Sequence, residues 1–220
     1  MYEDSAAVPT AAPTATRKDL QLGRRLVHAL NGIVIATAYQ LLFTRPQVVS
    51  LFGSIACIVY ILDRVRIHYP EVGERFPWMN DLFFRAEEEV RESAMVPYVI
   101  AILLTIITFP KPVAVIAIYT LGIADPLSAI VGIRFGRRRI VPDKSLEGSL
   151  AFFVAGFGCA LAVLYGGASP GRVAGASALI ALAGTVMEML PIRIDDNLTI
   201  PLFVGFAGWV VCGLVGVPIG

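Results

Sequence analysis

Seven stretches of mostly apolar residues, most of them close to the length of a bilayer-crossing helix, recur along the chain between Leu26 and Pro218. A spanning helix needs roughly 20 such residues, because the backbone rises about 1.5 Å per residue across a hydrocarbon core about 30 Å thick. The predicted spans are Leu26–Phe43, Pro46–Leu62, Ala94–Phe109, Pro112–Phe135, Leu150–Tyr165, Arg172–Leu190 and Leu198–Pro218. Only helices and closed barrels satisfy the backbone in lipid. Runs of this length therefore predict an all-α, polytopic integral membrane bundle of about seven transmembrane helices. Composition agrees: 56% hydrophobic residues, 16% charged residues and a mean hydropathy of +0.73 leave too little charge for a water-soluble surface, where about 25% is usual.

Residues 1–16 are rich in Ala, Pro and Thr and carry Glu3 and Asp4 where a signal peptide would carry positive charge. They predict a disordered cytosolic tail, followed by a single transmembrane helical domain over 17–220. Turns of a few residues after Phe43, Phe109 and Tyr165 make helical hairpins. The longer segment 63–93 mixes charges with Tyr69, Phe76, Trp78, Phe83 and Phe84, which predicts amphipathic helix at the interface. Cys57, Cys159 and Cys212 all fall inside apolar runs and read as small buried hydrophobes. Gly167, Gly171 and Gly175 read as a helix-packing series.

The net charge of +1 gives no reason to expect nucleic acid, yet the charges are far from evenly placed. Of the 18 Lys and Arg residues, 15 fall on the side that includes the N-terminus, and Arg45, Lys111 and Arg172 fall on the other. An excess of basic residues marks the cytoplasmic side, so the N-terminus is predicted to be cytoplasmic, with a basic loop at 134–149 and an acidic loop at 191–197. All 17 Asp and Glu also fall in the N-terminal tail, in the loops of that side (63–93, 134–149 and 191–197), or in the adjoining half of a span. The rule for basic residues does not account for that second asymmetry; a site at the cytoplasmic membrane surface does.

Asp125 interrupts an apolar span about 15 Å of helix from its cytoplasmic end, and an ionisable group at such depth is a functional candidate by default. A buried structural carboxylate paired with Arg is the competing reading. Pro126 follows and frees a backbone carbonyl, which predicts a broken helix beside the carboxylate. Gly132 and Gly136 continue the same face and predict close helix packing, with close approach of a ligand as the lesser reading. Beyond them, a helix starting near Ser145 would point free N–H groups at the cytoplasm with Lys144 alongside, an arrangement suited to phosphate. Glu188, Asp195, Asp196 and Asn197 gather between the last two spans. Asp196 or Asn197 is placed to cap the final helix; three carboxylates so close repel unless a cation sits among them, and Mg²⁺ takes one or two carboxylates together with phosphate oxygens. Arg24, His28 and Gly32 share one face of the first span, and Glu88 stands in a charged run that ordinarily makes a solvated face.

Together these segments resemble the polyprenol kinase family of membrane enzymes, which includes dolichol kinase, phytol kinase and the CTP-dependent diacylglycerol kinase. The likeness runs from about Gly23 to Pro201. It is carried by Arg24-Arg25 with His28 and Gly32; by Arg85 and Glu88; by Ala124-Asp125 through Gly132, Gly136 and Lys144-Ser145-Leu146-Glu147-Gly148-Ser149; and by Glu188 with Asp195-Asp196-Asn197 through Pro201. Ala124 stands where the family usually has Gly, Pro126 follows the Asp, and Ser93-Ala94 replace a common Thr-Gly pair; these departures bear on substrate identity. The resemblance implies phosphoryl transfer from a nucleoside triphosphate, with CTP favoured, to a polyprenol, a phytol-like isoprenoid alcohol or diacylglycerol at the cytoplasmic face. It implies nucleotide or phosphate contacts from Lys144, Ser145, Glu147, Gly148, Ser149, Gly132, Gly136, Arg24 and His28. Mg²⁺ would be held among Asp195, Asp196, Glu188 and Asp125, and Asp125, Lys144 and Glu188 would be catalytic, with Asp125 serving the metal or the acceptor hydroxyl. Glu88 and Asn197 would support the site. A CDP-lipid synthase shares CTP, Mg²⁺ and cytoplasmic acids but releases pyrophosphate; a transporter would spread polar groups through the bilayer depth.

Overall fold

Uninterrupted apolar sequence from Val113 to Ile118 makes a helix with no polar face, and such a helix belongs in the middle of a bundle. The computed structural model, which describes residues 15–69, 71, 95–141, 144–192 and 194–219, puts it there. None of those six residues is more than 1% exposed. They form α4 (Lys111–Tyr119), which runs through a π-helical turn (Thr120–Ala124) into α5 (Asp125–Phe135) as one rod. The other helices are α1 (Ala15–Leu41), α2 (Arg45–His68), α3 (Met95–Thr108), α6 (Leu146–Leu164), α7 (Pro170–Met189) and α8 (Asp196–Val215). Each of the seven apolar segments is thus a helix, and the fold is an all-α polytopic membrane bundle. Most of the segment 63–93 and almost all of the tail 1–16 lie outside the described residues.

The rod is contacted by α1 on one side and by α6, α8 and α3 on the others, while α2 packs on α3. Among the described residues, five helical stretches are long and apolar enough to cross a membrane: Arg45–Val65, Lys111–Phe135, Leu146–Leu164, Pro170–Met189 and Asp196–Val215. Met95–Thr108 is apolar but shorter, and α1 shows exposed Leu26, Val27, Leu30 and Val34. The chain is an integral membrane protein.

Helix ends follow local chemistry. Pro46, Pro112 and Pro170 stand in first turns, where no N–H is required. Gly216, at φ 73°, ends α8 in the left-handed conformation that costs glycine least.

Lipid tails are as apolar as the side chains, so helices in a bilayer associate by close van der Waals contact, not by escaping water. Gly32 and Gly122 show the result: a Cβ added at Gly32 would lie 2.5 Å from the Gly122 Cα, so α1 and the π turn touch backbone to backbone. At the far end of the rod, the Phe109 ring fills the space above Gly205, where an added Cβ would meet it at 2.4 Å. Two cations tie the same end together: Arg45 donates to the Ile107 carbonyl, and Lys111 Nζ donates to the Phe43 carbonyl at 3.0 Å.

Four expectations change. The helix does not break at Pro126. The Asp125 N–H reaches the Thr120 carbonyl in the wider π turn, and Pro126 falls in the first turn of α5. The basic loop contains a small antiparallel hairpin, β1 (Arg139–Val141) and β2 (Lys144–Ser145). Gly171 and Gly175 face open space, because α7 packs through Val173, Ala176, Ser177 and Ile180. Cys57 is exposed on the outside of α2, although Cys212 is buried.

Candidate active site

Glu188 sits one residue from the C-terminal end of α7 and is 3% exposed. A carboxylate there meets both an apolar surrounding and the negative end of the helix dipole, so it calls for a cation. Lys144, the first residue of β2, provides it: Nζ lies 2.9 Å from Glu188 Oε1 and 3.4 Å from Asp196 Oδ2. Burial alone would lower the Lys144 ammonium. The hydrogen bond and charge of Glu188, with Asp196 and Asp125 beyond it, instead raise it above the ordinary lysine value, so it stays cationic throughout the neutral range.

The hairpin thereby meets the end of α7 and the start of α8, more than forty residues further along the chain. Asp196 occupies the first turn of α8 and is half exposed. The cap of α8 is its neighbour Asp195, not Asp196 or Asn197 as expected: Asp195 Oδ1 accepts from the Asn197 N–H at 2.8 Å, because the helix starts one residue earlier than the sequence suggested. Asp125, at the start of α5, is half-buried and lies within electrostatic reach of Lys144, Asp196, Glu188 and Arg25.

The glycines of the basic loop hold the hairpin against the rod. An added Cβ at Gly136 would stand 2.8 Å from the Ser145 Cβ, and one at Gly132 3.1 Å from its hydroxyl. One at Gly148 would stand 2.7 Å from the Ser128 carbonyl oxygen. Ser145 itself is buried and caps α6, its Oγ accepting from the Gly148 N–H at 3.1 Å. The Leu146 N–H donates to the Arg138 carbonyl at 2.9 Å. Glu147 accepts from the Arg137 and Arg138 N–H groups at 3.1 and 3.3 Å, which fixes the loop. An open cleft beside it is lined by Arg134, Phe135, Gly136, Arg137 and Glu147. Ser149 hydrogen-bonds Glu188 Oε2 at 3.2 Å.

His28 lies on the same face of α1 as Gly32 and packs its ring 4.7 Å from that of Tyr98 on α3. The side chain of Arg24, and all of Glu88, lie outside the described residues. Two participants were not singled out from sequence, Ser128 and Tyr98. For Ser128 the available signal was its position one turn beyond Asp125.

Hard carboxylate oxygens around a cation are the donor set that suits Mg²⁺. Among the described residues no three His, Cys, Asp or Glu side chains stand close enough to hold an ion by themselves. A divalent ion here would need oxygens from its ligand as well.

Fold and site together define a polytopic membrane protein with a charged cluster, part buried, where the ends of its helices meet. The chain is similar to probable phytol kinase 1 of Oryza sativa subsp. japonica, 27% identical over 209 residues covering 87% of this chain and 65% of that protein. It is similar to farnesol kinase of Arabidopsis thaliana, 31% identical over 207 residues covering 88% of this chain and 66% of that one. A shorter likeness, 32% over 110 residues, covers 49% of this chain and 34% of the CTP-dependent diacylglycerol kinase 1 of Eremothecium gossypii. The chain thus spans about two thirds of the length of the plant proteins. No family profile and no solved structure matches it. The chain belongs to the polyprenol kinase family.

Proposed function

We propose that this protein is a membrane lipid-alcohol kinase that moves the terminal phosphoryl group of a nucleoside triphosphate, CTP in the first instance, onto a polyprenol, a phytol-like isoprenoid alcohol or diacylglycerol. The observation that carries this is the Lys144 ammonium, held 2.9 Å from Glu188 and 3.4 Å from Asp196, in a chain similar to phytol and farnesol kinases over most of its length. CTP is favoured by the likeness to a protein named as CTP-dependent. The excess of Lys and Arg on the same side supports a cytoplasmic N-terminus and a cytoplasmic site.

Phosphoryl transfer is chiefly positioning and neutralisation of charge. Lys144 is suited to the transferring phosphate oxygens, and Glu188 and Asp196 to Mg²⁺, which would neutralise the triphosphate when bound with it. Asp125 lies deeper in the rod, on the path of an alcohol arriving from the bilayer. The acceptor oxygen forms a bond to the terminal phosphorus as the bond from that phosphorus to the bridging oxygen breaks. The hydroxyl proton passes to the Asp125 carboxylate, and the nucleoside diphosphate leaves.

The test is purified full chain in lipid nanodiscs with labelled CTP or ATP, Mg²⁺ and a panel of lipid alcohols. The expected result is labelled lipid phosphate with release of nucleoside diphosphate, falling about 100-fold or more in Asp125→Asn and in Lys144→Ala. Unchanged transfer in both variants overturns the assignment. Pyrophosphate release would mean nucleotidyl transfer to a lipid phosphate instead.

A further inference from the structure

An apolar helix ordinarily buries a hydroxyl by turning it onto its own backbone. Thr105, Thr120 and Thr185 do this, each donating to the carbonyl four residues back at 2.7, 2.8 and 2.7 Å. Ser149 does not. It is 3% exposed on α6, and its Oγ donates across to Glu188 Oε2 on α7 at 3.2 Å. Ser128 on α5, also 3% exposed, stands between two acceptors: the Asp125 carbonyl at 2.9 Å and Glu188 Oε1 at 3.5 Å.

The Glu188 carboxylate is therefore met at both oxygens: Oε2 accepts from the Ser149 hydroxyl and Oε1 from the Lys144 ammonium, while the Ser128 hydroxyl stands 3.5 Å from Oε1 with its single proton drawn chiefly to the Asp125 carbonyl at 2.9 Å. A lysine alone can hold a carboxylate in several rotations. Hydroxyls on either side fix the plane of the group, and with it the direction from which Lys144 is held. The close approach of Gly148 to the Ser128 carbonyl keeps α5 and α6 near enough for both serines to serve one acid.

We propose that Ser128 and Ser149 are positioning residues that seat Glu188 and, through it, set Lys144 for the nucleotide phosphates. This rests on the phosphotransfer reading of the same site; it adds Ser128 to it, and it gives Ser149, which the resemblance implies as a phosphate contact, a part played through Glu188 instead.

The experiment is a pair of mutant cycles: Ser128→Ala and Ser149→Ala, each in wild type and in Glu188→Gln, with Ser149→Thr as the conservative variant. Binding of a fluorescent nucleoside triphosphate with Mg²⁺ is read by anisotropy on the full chain in nanodiscs, beside phosphotransfer kinetics and thermal midpoints. Each Ser→Ala change is expected to weaken nucleotide binding about tenfold in wild type, to leave the KM for lipid alcohol unchanged, and to add nothing in the Glu188→Gln background. Ser149→Thr keeps the hydroxyl and stays within about twofold of wild type. Equal losses in both backgrounds, losses confined to lipid KM, or no loss at all would overturn the seat. Because the serines come from separate helices, misfolding of one variant leaves the other to decide. If wild type phosphorylates no lipid alcohol, the functional reading fails; if it does so while the serine variants bind nucleotide normally, only the seat fails.

Discussion

Lys144 is shared by two carboxylates of unlike standing, one 3% and one 49% exposed. Removing a cation from a buried acid costs more than the pair is worth, because the acid is left without compensation. Lys144→Met is therefore expected to lower stability by about 3 kcal/mol, and adding Glu188→Gln is expected to recover most of that loss, as read by thermal unfolding in detergent. An additive double variant would show that the pair contributes little. At this scale the residues that the fold brings into the charged cluster were largely legible. Asp125, Lys144, Glu188 and Asp196 are ionisable groups beside or within apolar sequence, and expense of that kind is visible without coordinates. The cap of the last helix was misplaced by one position: Asp196 and Asn197 offered themselves, and the fold gives the part to Asp195, because a one-residue shift of a helix start changes no residue type. Ser128 left only its place one turn beyond Asp125: a serine bonded to its own helix backbone looks alike in sequence whether or not an acid sixty residues on stands beside it.

Among the elements, the rod from Lys111 to Phe135 decides most. Its π turn carries one residue more than an α turn would, which lets the chain pass Pro126 without a break and brings Gly122 against Gly32. A side chain at Gly122 has no room, since its Cβ would lie 2.8 Å from the Gly32 Cα. Gly158 on α6 faces open space. Gly122→Val is expected to destabilise by about 1–3 kcal/mol, whereas Gly158→Val is expected to stay within about 0.5 kcal/mol of wild type. Comparable melting of the two variants would mean that α1 is not held at this contact. Helix positions were readable because bilayer thickness sets the length of apolar sequence. The π turn was not, because a shift from i+4 to i+5 bonding changes no residue type. The hairpin was hidden for a related reason: five strand residues among arginines have no periodicity to detect.

For the molecule as a whole, one helix separates the basic hairpin from the turn after α6, so residues 139 and 167 emerge at opposite ends of the bundle. In a variant without native cysteines, Arg139→Cys and Gly167→Cys are expected to react with a membrane-impermeant thiol reagent from opposite sides, with Arg139→Cys reached from the side of the nucleotide. Labelling from one side would refute the arrangement. Charge partition was legible at this scale because it depends only on counting along the chain; the convergence of α7, α8 and the hairpin was not, because it depends on how helices pack. The end of the rod away from the acids is bound by Phe109 against Gly205 and by the bonds from Arg45 and Lys111 to backbone carbonyls. Both of those bonds end on main-chain carbonyls, of Ile107 and of Phe43, so exchange of the side chain at either acceptor leaves the tie intact, whereas loss of the cation at Arg45 or Lys111 removes it.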